Sequence, residues 1–427
     1  MRRSDALPMV LVLLAAVGCR ESRVPAVEPA VAPPAASVAA GDATPDEPPP
    51  SALRRCFADR PVWSDASVAD LLDRAGDLFD RSDDAGALAC AEEAARQEPE
   101  SVEAHHDRAL ALIGLDRLDD AREAITLALA LAPDDPATLE SAADLYVNQL
   151  PPSADHSAIG LVYAERGTRH VAHRDRHRRA HLALLEGEAL TDLGQADDAL
   201  RRIDAALALD GHDPEAHYAR GVALFELCRF KDARRALERT LARDPEHPHA
   251  LYHLALLDER AGDEAAADRR FAEATRLDPE AFPPSPEVSA ERFAAMVQAA
   301  VAALPDDLRA DVKGVPIEAA DLPLLEDLTA EAPPLSPAIV GLFRGLPLGR
   351  TEDAHPPQAA RGRRREPRPP AGQGEPPERA IVLYRRNLVR TVRDEAALER
   401  AITRTLLHEI GHLRGEDDGS LRDRGLE

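Results

Sequence analysis

Pro99 and Pro133 lie 34 residues apart, as do Pro245 and Pro279, and Gly211 stands the same 34 residues before Pro245. A fixed period of this length marks a stack of one supersecondary unit, because each unit is too small to bury its own apolar face and must pack on its neighbours. With that proline set as position 32 of the unit, small residues recur at position 20 as Ala87, Ala121, Ala199, Ala233 and Ala267. Position 27 gives Ala94, Ala128, Ala206, Thr240 and Ala274, and position 11 gives Leu78, Leu112, Leu190 and Leu224. Small residues let two helices cross closely, and the leucines fill the space between one helical hairpin and the next. Aromatic residues are only 3% of the chain against 44% hydrophobic overall, a balance that suits thin helical layers and argues against an all-β core.

Five units fit this frame, starting near Val68, Val102, Ala180, Pro214 and Pro248. The stretch 136–179 is longer than one period and reads as an irregular repeat with the insertion "NQLPPSADHS" between its helices. The pattern over residues 67–282 resembles a tetratricopeptide (TPR) solenoid. The resemblance implies an extended groove that takes a peptide or protein partner and has no chemistry of its own. Within the irregular repeat and just beyond it, Arg166, Arg169, His170, His173, Arg174, Arg176, His177, Arg178, Arg179 and His181 form a basic cluster. His173, His177 and His181 have helical metal spacing, but the arginines around them oppose a cation, so a solvated basic stripe is expected; His249 and His253 are read in the same way. Over the whole chain 77 acidic residues face 52 basic ones, and a net charge of -25 repels phosphate backbones and excludes general nucleic-acid binding.

The chain opens Met1-Arg2-Arg3 and continues with an apolar run from Ala6 to Val17, too short to span a membrane and shaped like an export signal. It closes as Ala16-Val17-Gly18-Cys19, which resembles the lipobox of bacterial lipoproteins. That resemblance implies a signal peptide over 1–18, acylation of Cys19, and a protein anchored by lipid in the bacterial cell envelope, on the periplasmic or extracytoplasmic face. Residues 19–60, with the string "VPAVEPAVAPPAASVAAGDATPDEPPP", read as a Pro/Ala-rich tether. Cys56, Cys90 and Cys228 remain, an odd number without metal spacing, so one disulfide at most is possible; Cys90 and Cys228 fall in helical patterns and are expected as buried small hydrophobes.

After "DPEAFPPSPEVS" the period stops and a second domain, 288–427, begins. Ala290 to Leu304 predicts an amphipathic helix, Val312 to Ile317 a short strand, Ala380 to Tyr384 a better one, and Glu395 to His412 a helix with Asp394 as N-cap. A Pro-, Gly- and Arg-rich insert over 350–379 is expected to be disordered. The last helix carries His408-Glu409-Ile410-Gly411-His412. Two histidines four apart share one helical face and can bind one zinc ion, while the Glu beside the first reaches the water that the metal acidifies. Gly415 lets the chain turn, so that an acidic side chain from Glu416, Asp417 or Asp418 can swing back to the metal, the alternative being a ligand from upstream.

The strings "AIVLYRRNL", "LLHEIGHLRGEDD", "IVGLFRGLPL" and "AALPDDL" together resemble the small zincin-like metallopeptidase family of bacteria. The resemblance implies a small α+β domain after the all-α solenoid, with His408, His412 and Asp418 as zinc ligands and Glu409 as general base. Zincin-type sites present a strand edge beside the metal helix, so an extended substrate is expected to pair along Ala380, Ile381, Val382, Leu383 and Tyr384. The functional expectation is a membrane-anchored zinc metallopeptidase whose repeats recruit a protein substrate or partner. The alternative is an envelope scaffold lipoprotein with a proteolytically silent zincin-like domain. The anchor has a direct test: Cys19→Ser moves the protein from the membrane to the soluble fraction, and a variant that stays membrane-bound overturns the lipid anchor.

Overall fold

The computed structural model describes residues 55–57, 66–330, 332–348 and 379–426. The signal, nearly all of the tether and the insert up to residue 378 lie outside the described residues. The repeats fold as helical hairpins: α1 (Val68–Phe79) with α2 (Asp84–Gln97), α3 (Val102–Gly114) with α4 (Leu118–Leu131), and α5 (Pro136–Asp144) with α6 (Ala154–His170). There follow α7 (Arg176–Asp192) with α8 (Ala196–Leu209), α9 (Pro214–Glu226) with α10 (Phe230–Leu241), and α11 (Pro248–Arg260) with α12 (Glu264–Leu277). Starts are set locally. Ser67 makes a reciprocal capping box with Asp70, Ser101 caps α3, Asp135 caps α5, and Pro136 and Pro248 occupy the first turn, where a missing N–H costs nothing. The position-20 and position-27 residues are all buried, as the close crossings require.

Two details depart from the sequence reading. The helix expected near Ala180 starts at Arg176, where Asp175 caps it. In the irregular repeat, α5 runs on into a π-helical turn, Leu145–Gln149, before Pro151 and Pro152 break it and Ser153 caps α6. The cysteine expectation is corrected at both residues, Cys228 lying in the turn after α9. Cys90, on α2, is bonded to Cys56 with their Cα atoms 4.9 Å apart, whereas Cys228 is free and half-buried. The pairing was hidden because Cys56 lies in the tether-like stretch, before the first repeat.

The described residues form two compact units. One holds the hairpins as far as Ala223, with Ala236–Pro245. The other takes Leu224–Arg235 and everything from Glu246 onward, so it contains the last repeat hairpin together with α13 (Ala290–Ala302), α14 (Asp306–Asp311), β1 (Ile317–Ala320), α15 (Leu325–Leu328), β2 (Gly341–Arg344), β3 (Ala380–Tyr384), α16 (Arg385–Arg390), α17 (Glu395–Arg414) and α18 (Asp418–Asp423). The strand expected at Val312–Ile317 is found further on, at Ile317–Ala320.

The sheet has the order β1-β3-β2, with β1 parallel and β2 antiparallel to β3. On one face Ile381 and Leu383 join Phe293, Met296 and Val297 of α13 and Ile402, Leu406 and Ile410 of α17. On the other, Val382 and Tyr384 pack with Leu328 and Ile339. This overturns Ala380, Ile381, Val382, Leu383 and Tyr384 as the substrate-binding strand, because both edges of β3 are already paired and all five residues are buried. The unbroken apolar run "AIVLY" is the signature of a strand covered on both faces.

Immediately after β3, Arg386 and Arg390 reach the last repeat hairpin. Glu259, whose side chain is only 6% exposed, accepts from Arg390 at 2.5 Å through both oxygens and from Arg386 at 2.8 Å, while Arg386 also reaches Glu264 at 2.5 Å. Removing one partner of such a cluster leaves desolvated charge behind. Glu259→Ala is expected to lower the stability of this unit by about 3 kcal/mol, read as a lower denaturant midpoint. An unchanged midpoint would show that the arginines re-solvate freely.

Candidate metal centre

Helix α17 starts where Asp394 accepts from the Ala397 N–H at 2.7 Å and ends at Gly415, whose φ of +87° is the left-handed cap that glycine adopts without strain. Its apolar stripe, Leu398, Ile402, Leu406, Ile410 and Leu413, is buried under the sheet. This turns His408 and His412, one helical turn apart, to the same side. Their Nε2 atoms lie 3.0 Å from each other, and Asp418 Oδ1 lies 3.7 Å from His408 Nε2 and 3.2 Å from His412 Nε2.

The neighbouring acids, which the sequence reading left open, have other work. Asp417 caps α18 by accepting from the Ser420 N–H at 2.9 Å, and Glu416 pairs with Arg424 at 2.5 Å. Asp418 comes to the histidines because α18 folds back on α17 at Gly411: a Cβ there would overlap the fully buried Leu421 side chain. Each histidine's Nδ1 faces a backbone carbonyl, His408 that of Leu426 at 2.8 Å and His412 that of Glu416 at 3.1 Å. A donating Nδ1–H makes Nε2 the nitrogen that each ring can offer to a metal.

Glu409, 5% exposed, lies against the edge strand β2. The Phe343 N–H donates to its carboxylate, and a Cβ at Gly341 would lie 2.7 Å from its Oε1 and 2.6 Å from Thr405 Cγ2. Burial pushes the Glu409 carboxyl up to about 7, against the lowering pull of His412 and the Phe343 N–H. For His412 burial acts downward, but the hydrogen bond with Asp418 and the charges of Glu409 and Asp418 outweigh it, so the imidazole is raised. A cation among these groups inverts that balance.

The donor set fits zinc: two imidazoles and a carboxylate converge, and their atoms all lie within 4.8 Å of one another. The other histidines flagged in the sequence build no such group among the described residues. His173 and His177 are exposed, His181 pairs with Glu140 at 2.8 Å, and buried His253 points Nδ1 at the His249 carbonyl. Part of the basic stripe is ion-paired rather than solvated, with Arg166 on Asp134 and Arg178 on Glu140, each at 2.8 Å. Gly341 and Gly411 were not singled out from the sequence, although a glycine inside an apolar segment signals close backbone approach.

The zincin-like metallopeptidase family matches residues 312–426, and tetratricopeptide repeat families match 72–136 and 190–257. The chain thus carries tetratricopeptide repeats and a C-terminal zincin-like metallopeptidase domain. No curated protein matches it. Solved structures similar to it include pilF of Pseudomonas aeruginosa, at 14% identity and a TM-score of 0.42, over 50% of this chain and 94% of that one. PilW, a type IV pilus biogenesis factor, is 18% identical with a TM-score of 0.44, over 50% and 96% of the two chains. YrrB, a TPR protein with an unusual peptide-binding site, is 20% identical with a TM-score of 0.34, over 44% and 92%.

The Gly411 contact gives a test of the donor set. Gly411→Ala is expected to push Leu421, and with it Asp418, away from the histidines and to weaken zinc binding about tenfold or more, some 1.4 kcal/mol, in a chelator competition. Wild-type affinity in that variant would detach Asp418 from the metal.

Proposed function

We propose that the chain is a zinc-dependent metallopeptidase of the bacterial cell envelope, held to the membrane by lipid at Cys19, whose repeat array recruits a protein substrate or partner. The observation that carries this reading is the convergence of His408, His412 and Asp418 on one point, with the buried carboxylate of Glu409 alongside on the same helix. The disulfide between Cys56 and Cys90 supports an oxidising compartment outside the cytoplasm. Stacked hairpins offer an extended groove, the geometry that takes peptide partners.

In this mechanism His408, His412 and Asp418 hold the metal. Zinc, when bound, polarises the scissile carbonyl and acidifies a water. Glu409 takes the proton of the attacking water and returns it to the leaving amine, a task suited to a carboxyl whose pKa has been raised toward neutrality. Its contacts with Gly341 and the Phe343 N–H hold it at the rim of the sheet. The substrate main chain pairs with the outer edge of β2 rather than with β3. In the observed register the Tyr384 N–H donates to the Val340 carbonyl, so Val340, Leu342 and Arg344 face β3, and the backbone groups of Gly341 and the Phe343 carbonyl face outward for pairing, while the Phe343 N–H is taken by Glu409.

The deciding experiment compares wild type with Glu409→Gln, which spares every proposed ligand. Cleavage of envelope proteins should fall by about 10²-fold or more while bound zinc, measured by elemental analysis, stays at the wild-type level. Equal cleavage by both removes Glu409 from the chemistry. A zinc-loaded wild type that cleaves nothing in the envelope proteome leaves the scaffold reading in its place.

A further inference from the structure

Helices α17 and α18 end in the same way. At the end of α17, Gly415 has φ +87°, its N–H donates to the His412 carbonyl at 2.9 Å, and the Glu416 N–H donates to the Gly411 carbonyl at 3.0 Å. At the end of α18, Gly425 has φ +71°, its N–H donates to the Arg422 carbonyl at 2.8 Å, and the Leu426 N–H donates to the Leu421 carbonyl at 3.1 Å. Both are Schellman caps, in which a left-handed glycine reverses the chain and the next residue closes the helix. In both, that next residue turns its carbonyl to a histidine of the candidate centre: Glu416 to His412 Nδ1 at 3.1 Å, Leu426 to His408 Nδ1 at 2.8 Å.

The two contacts differ in reach. Glu416 follows His412 directly around one turn. Leu426 is 18 residues beyond His408, and it arrives only because Leu421 docks on Gly411 and α18 lies back along α17. We propose that the main-chain carbonyl of Leu426 is a positioning group for the metal centre, fixing the ring orientation and tautomer of His408 so that Nε2 is presented as a ligand, and that the tail after α18 therefore sets metal affinity. This rests on the reading of His408, His412 and Asp418 as a zinc site. A carbonyl accepting from Nδ1–H raises ligand basicity and removes a rotational freedom that the metal would otherwise have to fix, and losing such a partner commonly weakens binding by about 10–100-fold.

The test uses the zinc dissociation constant of the full chain, measured with a chromophoric chelator, and needs no proteolysis. Deleting Leu426 and Glu427 removes the carbonyl and is expected to weaken zinc binding by about 10–100-fold. Deleting Glu427 alone keeps an oxygen of Leu426 in place, and Leu426→Ala keeps the carbonyl but not the side chain; both are expected to bind as wild type does. Gly425→Val preserves chain length and forces a β-branched residue into left-handed backbone, so it should lose affinity as the double deletion does while the unfolding midpoint of the metal-free protein changes little. Wild-type affinity in the double deletion overturns the proposal, and so does a loss in Leu426→Ala as large as that in the deletion, which would assign the effect to packing. A wild type that binds no zinc overturns the site itself, and that outcome is distinct because the variants then cannot differ from it.

Discussion

Backbones in this protein approach each other where side chains are missing, and both the array and the candidate centre depend on it. In the repeats, Gly187 faces Ile203 and Gly221 faces Leu237 so closely that a Cβ at either glycine would overlap the neighbour. The buried alanines at positions 20 and 27 serve the same crossings. In the C-terminal domain the same device acts at two points of α17: Gly341 lets β2 lie against Glu409 and Thr405, and Gly411 lets α18 lie against the helix. The first contact places Glu409 and the second brings Asp418 to the histidines. Close packing thus stands in for a larger scaffold, which a sheet of three short strands does not provide.

The electrostatics follow from that packing. A carboxylate as buried as Glu409 is driven toward its neutral form unless something compensates, and its raised pKa records that cost. Opposing it are the Phe343 N–H and His412, whose own pKa is raised by Asp418 and Glu409 against the effect of burial. Beside that carboxylate the donor atoms of His408, His412 and Asp418 meet at one point. A divalent cation at that point favours neutral imidazoles and ionised carboxylates at once.

Most of the architecture was legible because it repeats or because it is local. The 34-residue period, the cap at Asp394 and the turn at Gly415 each follow from a few adjacent residues. Asp418 was legible only through resemblance, since Glu416, Asp417 and Asp418 differ in role by tertiary position alone: one pairs with Arg424, one caps α18, one faces the histidines. The central place of β3 was missed because pairing partners far apart in sequence leave no local trace, although its unbroken apolar run records burial on both faces. The Cys56–Cys90 bond was missed for the same reason, one partner lying outside the periodic pattern that identified the other as core.

The family match begins at residue 312, yet the compact unit that contains it begins within the repeats. The difference has a physical origin in α16, which follows β3 without a break and carries Arg386 and Arg390, each at most one-fifth exposed. A guanidinium that is mostly desolvated needs an anion, and the anion is Glu259 on α11, whose side chain is itself almost fully buried. Phe271 of α12 adds its ring face beneath Arg390, 5.0 Å from the guanidinium carbon. The helix that carries both histidines starts just after Arg390, so the charges that seat α16 on the last hairpin also fix where α17 begins. The final repeat is in this sense a wall of the C-terminal domain as well as the end of the array, and a boundary drawn at the end of the 34-residue period cuts through the contacts that hold that wall in place.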